Sequence, residues 1–296
     1  MRHVDLTGMG VALITPFQTN GEVDYPALSR LVDYQLQNDT DYLVVLGTTA
    51  ETPALSVSEQ KEITRFVVEK VNRRIPIVLG SLSGNNTRAV VERLKTENLD
   101  GVDALLSAVP YYNKPSQEGM YQHYKAIAET TALPIVLYNV PGRTVVNMTA
   151  ETTLRLAHDF DNIIAVKEAS GNLAQIGTIS KHKPDDFQVI SGDDAITLPL
   201  ISLGAVGVIS VIGNAFPKKF TQMVHLALAG DYANALSIHY HFLELFELLF
   251  IDGSPSGVKC VLNIMGYIEN ELRLPLVPAR VVTYEKIRSV MQELKD

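Results

Sequence analysis

Lys167 closes the run Ile163-Ile164-Ala165-Val166. Four apolar residues leading into a cation read as a buried β-strand with an amine at its end. A buried ammonium is costly unless it is paired or gives up its proton. Once neutral, the amine can attack a carbonyl and form a Schiff base. The plainer use of such a lysine is to bury its stem and reach water or an ion pair with its head. Glu168 is not a partner by position, because neighbours along a strand point to opposite faces.

Other polar residues gather at the ends of apolar runs. These are Gly47-Thr48-Thr49-Ala50-Glu51-Thr52, Pro110-Tyr111-Tyr112-Asn113, Tyr138-Asn139-Val140-Pro141-Gly142-Arg143-Thr144, Ser191-Gly192-Asp193-Asp194 and Gly207-Val208-Ile209-Ser210. Each has an everyday use: a threonine-capped turn, wet aromatics, a surface cation, aspartates that cap a helix. Their combination is more specific. A Gly-Thr-Thr turn offers N–H groups and hydroxyls suited to a carboxylate. Tyr138, one strand before Lys167, could shuttle protons beside it. Arg143 could hold a second carboxylate in bidentate fashion. An amine, a proton relay and two carboxylate sites describe a 2-oxo-acid site.

These residues need a scaffold. Short β-rich runs recur at Val11–Ile14, Tyr42–Leu46, Ile75–Leu79, Ala104–Val109, Pro134–Tyr138, Ile163–Val166, Phe187–Ile190 and Val206–Ile209. Most are ~30 residues apart, the length of a βαβ unit. The runs are apolar throughout, as in strands buried on both faces. Helical stripes fill the gaps: Tyr25 to Leu36, a helix around Ser58, Glu62, Ile63, Phe66 and Val67, a capped start at Asn85-Asn86-Thr87, Ala150 to His158, and Leu173 to Ser180. Eight such units predict an α/β fold, a (β/α)8 TIM barrel, with a doubly wound open sheet as the alternative. No G-x-G-x-x-G turn follows the first strand, and polar chemistry sits after many strands, where barrel active sites form. Beyond about residue 225 the strand signal stops. Val224–Ala229, Tyr232–Ile251, Gly257–Met265 and Tyr284–Leu294 read as helices. The expected organisation is a barrel over residues 1–225 and a C-terminal helical extension over 226–296, packed on it.

The chain of 296 residues is 46% hydrophobic and 20% charged, with a formal net charge of -8. That charge disfavours a general nucleic-acid or anionic-membrane surface but allows a local basic pocket. One cysteine, Cys260, permits no intrachain disulfide and fits a reducing compartment. No run is long and apolar enough to span a bilayer, and no secretory leader is evident, so a cytoplasmic protein is expected. His239 and His241 lie two apart in a predicted helix and do not share a face, so they make a poor metal pair. Asp193 and Asp194 disfavour a sugar-phosphate site after the seventh strand.

The quoted motifs, in this order along the chain, resemble the dihydrodipicolinate synthase family. It belongs to the pyruvate-dependent class I aldolases, which include N-acetylneuraminate lyase. The resemblance implies condensation of pyruvate with L-aspartate 4-semialdehyde through a lysine Schiff base, giving 4-hydroxy-tetrahydrodipicolinate for diaminopimelate and lysine biosynthesis. It implies Lys167 as the Schiff-base lysine, Tyr138 beside it, Thr48 and Tyr112 as relay residues, and Tyr112 reaching a neighbouring subunit's site. Thr49 matches the position that helps hold the pyruvate carboxylate, Arg143 the arginine on the semialdehyde carboxylate, Ile209 a carbonyl facing the centre, and Gly192 a further substrate-binding position. It also implies no metal or organic cofactor and a homotetramer built from tight dimers. An aldolase releasing pyruvate from a 2-keto-3-deoxy sugar acid or sialic acid is the alternative; Arg143 argues for a short aldehyde carrying its own carboxylate. A non-catalytic 2-oxo-acid-binding barrel is the alternative outside enzymes. Ala50 stands where the family usually has glycine. Gln60 and Ala89 stand where lysine-inhibited relatives carry histidine and glutamate, so weak or absent lysine inhibition is expected, although Asn85 and Tyr111 remain.

Overall fold

The computed structural model describes residues 4–294. Eight parallel strands close into a barrel in sequence order. They are β1 (Gly8–Ala12), β2 (Tyr42–Val45), β3 (Ile77–Leu79), β4 (Ala104–Ala108), β5 (Ile135–Asn139), β6 (Ile163–Glu168), β7 (Gln188–Ser191) and β8 (Gly207–Ser210). Helices α1 (Tyr25–Leu36), α2 (Val57–Val71), α3 (Thr87–Thr96), α4 (Gln117–Ala128), α5 (Pro141–Thr144), α6 (Ala150–Asp159), α7 (Leu173–His182), α8 (Thr197–Ser202) and α9 (Pro217–Leu228) alternate with the strands or follow the last. Then come α10 (Tyr232–His241), α11 (Leu243–Leu248), α12 (Ser256–Ile264) and α13 (Val281–Glu293). This is the expected TIM barrel with C-terminal helices, and the open-sheet alternative is excluded by closure.

Local chemistry accounts for many boundaries. Ser56 caps α2 with its side chain while Glu59 reaches back to the Ser56 N–H, a capping box. Asn86 accepts from the Ala89 N–H and starts α3, as its sequence suggested. Strand β1 lies up to three residues earlier than the run Val11–Ile14, because Gly8 and Gly10 carry no side-chain signal. A Cβ on Gly8 would strike the Asp41 carboxylate and one on Gly10 the Tyr42 ring, and barrel closure requires glycine on β8 as well. Gly207 has a φ of +155°, and a Cβ on it would stand 1.9 Å from the Gly8 carbonyl oxygen.

The core forms two shells. A small inner cluster fills the barrel with Tyr42, Val44, Leu106, Val136, Tyr138, Ala165, Ile190 and Ile209. A large outer cluster lies between strands and helices, and it runs on into Phe242, Leu245, Phe246, Val261 and Ile287 of the C-terminal helices. Those helices therefore share the barrel's core. Helix α9 runs across residue 225, where the barrel was expected to end.

The apolar stretch from Tyr232 to Ile251 is not one helix. It turns at Phe242, which is buried against the rings of Phe216, Phe220 and Phe246. No proline or glycine marks the break; tertiary packing of one aromatic ring decides it. Among the described residues, no helix is long and apolar enough to cross a membrane.

Candidate active site

Strand alternation builds the centre twice over. Tyr138 and Lys167 are register partners on β5 and β6, and both face the barrel interior. The next pair, Asn139 and Glu168, faces outward. Asn139 Nδ2 donates to Glu168 Oε1 at 2.6 Å, and Glu168 also accepts from Ser170 Oγ and Gln175 Nε2. Glu168 is thus engaged on the helical side and is no partner of Lys167, as the period of the strand required.

One cavity of about 740 Å³ opens at the C-terminal ends of the strands. Thr48 and Thr49 enter it from the 3-10 turn after β2, Tyr138 from β5, Arg143 from α5, Lys167 from β6, and Gly192 with Asp193 from the turn after β7. Gly192 is needed there, because a Cβ would lie 2.7 Å from the Ala169 Cβ. Lys167 Nζ sits 4.4 Å from the centroid of the Tyr138 ring.

The electrostatics raise the neutral fraction of the amine. Burial pushes the Lys167 ammonium down from 10.5 to about 8; Asp194 and Asp193 pull it up, and Arg143 pushes it down. The Tyr138 phenol is raised by burial, offset in part by the Arg143 charge and a hydrogen bond with Thr48. Tyr138 is therefore a protonated phenol at neutral pH, within hydrogen-bond reach of a hydroxyl and next to an amine. Such a chain can carry protons to and from groups bound at Nζ.

Two expected residues stand outside this cavity. Tyr112 is 85% exposed, in a left-handed conformation with φ 68°, and its N–H donates to the Thr144 carbonyl at 3.4 Å. Its ring does not reach the cavity of its own chain. Ile209 is buried in the inner cluster, and Val211 two residues later lines the wall instead.

Several functional neighbours were not legible beforehand. Leu243, Phe246 and Glu247 of α11, with Phe250 and Ser254 beyond it, form the far wall. They lie in a segment whose sequence shows only helical periodicity. Asp194, named from the sequence as a possible helix-capping aspartate, instead serves the loop after β8. It is buried, its Oδ2 accepts from the Val211 and Ile212 N–H groups at 3.0 and 2.8 Å, and burial raises its carboxyl to about 6. It pins the loop after β8, while Asp193 caps the short turn after β7 through the Ala195 N–H. The two histidines of α10 occupy separate settings: His239 lies against Phe246, and His241 against Lys219.

Comparisons with known proteins bear on this site. The model of the Dihydrodipicolinate synthetase family matches residues 5–294. The 4-hydroxy-tetrahydrodipicolinate synthase of Parabacteroides distasonis is 69% identical over 294 residues, covering 99% of either chain. That of Phocaeicola vulgatus is 70% identical over 295 residues, covering 100% of this chain and 99% of the other. A solved structure of the chloride-inhibited dihydrodipicolinate synthase from Acinetobacter baumannii, complexed with pyruvate, superposes with a TM-score of 0.95 at 38% identity, over 98% of this chain and 99% of that one.

Proposed function

The chain belongs to the dihydrodipicolinate synthetase family, and from that premise we propose how its cavity works. It is a lyase that condenses pyruvate with L-aspartate 4-semialdehyde to give 4-hydroxy-tetrahydrodipicolinate, a step of diaminopimelate and lysine biosynthesis. One observation carries the assignment of roles: a buried, pKa-depressed Lys167 shares its cavity with Tyr138 and Arg143.

Neutral Lys167 attacks C2 of pyruvate, and the carbinolamine loses water to give an imine. The imine withdraws electrons from the pyruvate methyl group, which loses a proton and leaves an enamine. The enamine carbon attacks the aldehyde carbon of the semialdehyde, whose oxygen gains a proton and becomes the product hydroxyl. The amino group of the semialdehyde then adds to the imine carbon. The C–N bond to Lys167 breaks, the ring closes, and the free amine is restored. Tyr138 and Thr48 move the protons, with Tyr112 of a neighbouring subunit completing the relay. Thr49 and the N–H groups of its turn hold the pyruvate carboxylate. Arg143 takes the semialdehyde carboxylate, while Gly192 borders the reacting atoms. The donor set calls for no metal or organic cofactor.

In this reading the barrel of residues 1–225 carries the chemistry, and residues 226–296 shape the mouth of the cavity. The enzyme is a cytoplasmic homotetramer of two tight dimers. The exposure of Tyr112 supports the dimer, since its ring is open to a neighbouring subunit and lies outside the cavity of its own chain.

Borohydride reduction in the presence of pyruvate tests the core of the assignment. A stable adduct on Lys167 is expected, and none in Lys167→Ala. Absence of any mass increase on the wild type would remove the Schiff base. A coupled assay separates the sugar-acid alternative. Arg143→Ala should spare the adduct and weaken use of aspartate semialdehyde.

A further inference from the structure

Glu51 follows the Thr48–Ala50 turn and has no place in the cavity. It is a non-glycine residue held in the left-handed region, with φ 56° and ψ 35°. That conformation disfavours an L-residue and persists where the surroundings fix it. Its side chain is fully buried, and so is that of Lys259 on α12. Lys259 Nζ donates to Glu51 Oε1, and the Arg273 N–H donates to Glu51 Oε2 at 3.0 Å. Lys259 also donates to the Glu271 carbonyl at 2.9 Å and stands 4.2 Å from the centroid of Phe17. An ion pair sealed from water this completely has little freedom to shift, because either charge left alone there is strongly disfavoured.

We propose that Lys259 is a positioning residue for the carboxylate-binding turn. Through Glu51 it fixes the backbone of Thr48 and Thr49, and so governs how pyruvate is held. Two features make the turn dependent on this anchor. The Glu51 N–H donates to the Thr48 carbonyl at 3.1 Å, so the orientation of residue 51 is built into the turn. Other side-chain ties of the turn, Thr15 Oγ1 to the Ala50 carbonyl and Thr52 Oγ1 to the Gly47 carbonyl at 2.8 Å and Thr48 with Tyr138, are neutral single hydrogen bonds. Lys259 itself does not line the cavity, so it acts through Glu51 and not on substrate. Arg143 stands on α5, after β5, and among the described residues no hydrogen bond joins its side chain to Glu51, Lys259 or Glu271. The effect is therefore selective for one substrate.

The inference rests on the pyruvate-binding role proposed for Thr48 and Thr49. Its test uses the full-length enzyme, with borohydride trapping followed against pyruvate concentration and steady-state kinetics for both substrates. Lys259→Met is expected to raise the half-saturating pyruvate concentration about tenfold or more, the scale of effect from a misplaced binding group. The KM for aspartate semialdehyde should stay within about twofold, since Arg143 is untouched. Lys259→Arg, which keeps the charge, should recover most of the pyruvate affinity. If Lys259→Met does not fold, Glu51→Gln combined with Lys259→Met removes both buried charges and should show the same selective loss. A folded enzyme lacking Lys259 that saturates with pyruvate like the wild type overturns the inference. So does an equal loss for both substrates, or failure of both Lys259→Met variants to fold, each of which marks a purely structural pair. Should the wild type itself trap no pyruvate, the Schiff-base reading fails, and that result is distinct from either.

Discussion

The rate of imine formation should report the depressed Lys167 directly. With a value of about 8 in place of 10.5, roughly a tenth of the enzyme carries a neutral amine at pH 7. An unperturbed lysine would offer roughly three parts in ten thousand. The difference is on the order of 300-fold in reactive amine, or about 3 kcal/mol. The sign follows from which form reacts. Below the Lys167 value, each unit of pH adds about tenfold neutral amine; above it, the amine is already free and the rate flattens. A single-turnover assay, mixing enzyme with pyruvate and quenching with borohydride between pH 6 and 10, should therefore rise and then level near pH 8 to 9. Arg143→Ala removes a cation that pushes Lys167 down, so its plateau should move to higher pH. The move should be less than about one unit, because burial is the larger cause. A wild-type rate still climbing tenfold per unit through pH 10 would refute the reasoning, since it would mean that burial does not lower the Lys167 value.

Other outcomes can be checked independently. Subunits carrying Tyr112→Phe and subunits carrying Lys167→Ala, each impaired alone, should regain activity when co-assembled, because the hybrid pairs one intact Lys167 with one intact Tyr112 across the interface; no recovery would place the Tyr112 function within its own chain. Free lysine should inhibit weakly in an activity titration: Gln60 is already bonded to the carbonyls of Thr52 and Leu55 and to Arg93, and Asn85 is bonded to the backbone of Tyr111. Tight inhibition would contradict this. Glu59 is held down to about 2, from 4.5, chiefly by its hydrogen bonds with Arg273. That contribution is fully present above pH 4.5 and is lost as pH falls through about 2. The gap in Tm between wild type and Arg273→Ala should therefore be widest near neutral pH and narrower by about 2 °C at pH 3, by thermal denaturation; a constant gap would show that the ion pair adds nothing.

The sequence by itself determined the strands, the chemistry of their ends and the family. Apolar runs like Ile163–Val166 can be buried on both faces in few ways, and period-two alternation alone put Lys167 and Glu168 on opposite sides. Where sequence misread an element, a nonlocal contact had decided it. The start of β1 was hidden by Gly8 and Gly10, where a Cβ would strike the Asp41 carboxylate and the Tyr42 ring at the start of β2. The break at Phe242 comes from a ring packed on Phe216 and Phe220, on the preceding helix segment and outside any local window, with no local breaker to announce it. That break turns α11 so that Leu243, Phe246 and Glu247 face the cavity. Only the tertiary structure could pair Glu51 with Lys259, 208 residues apart in the chain. Local patterns record what a segment buries; they carry no record of which distant segment it is buried against.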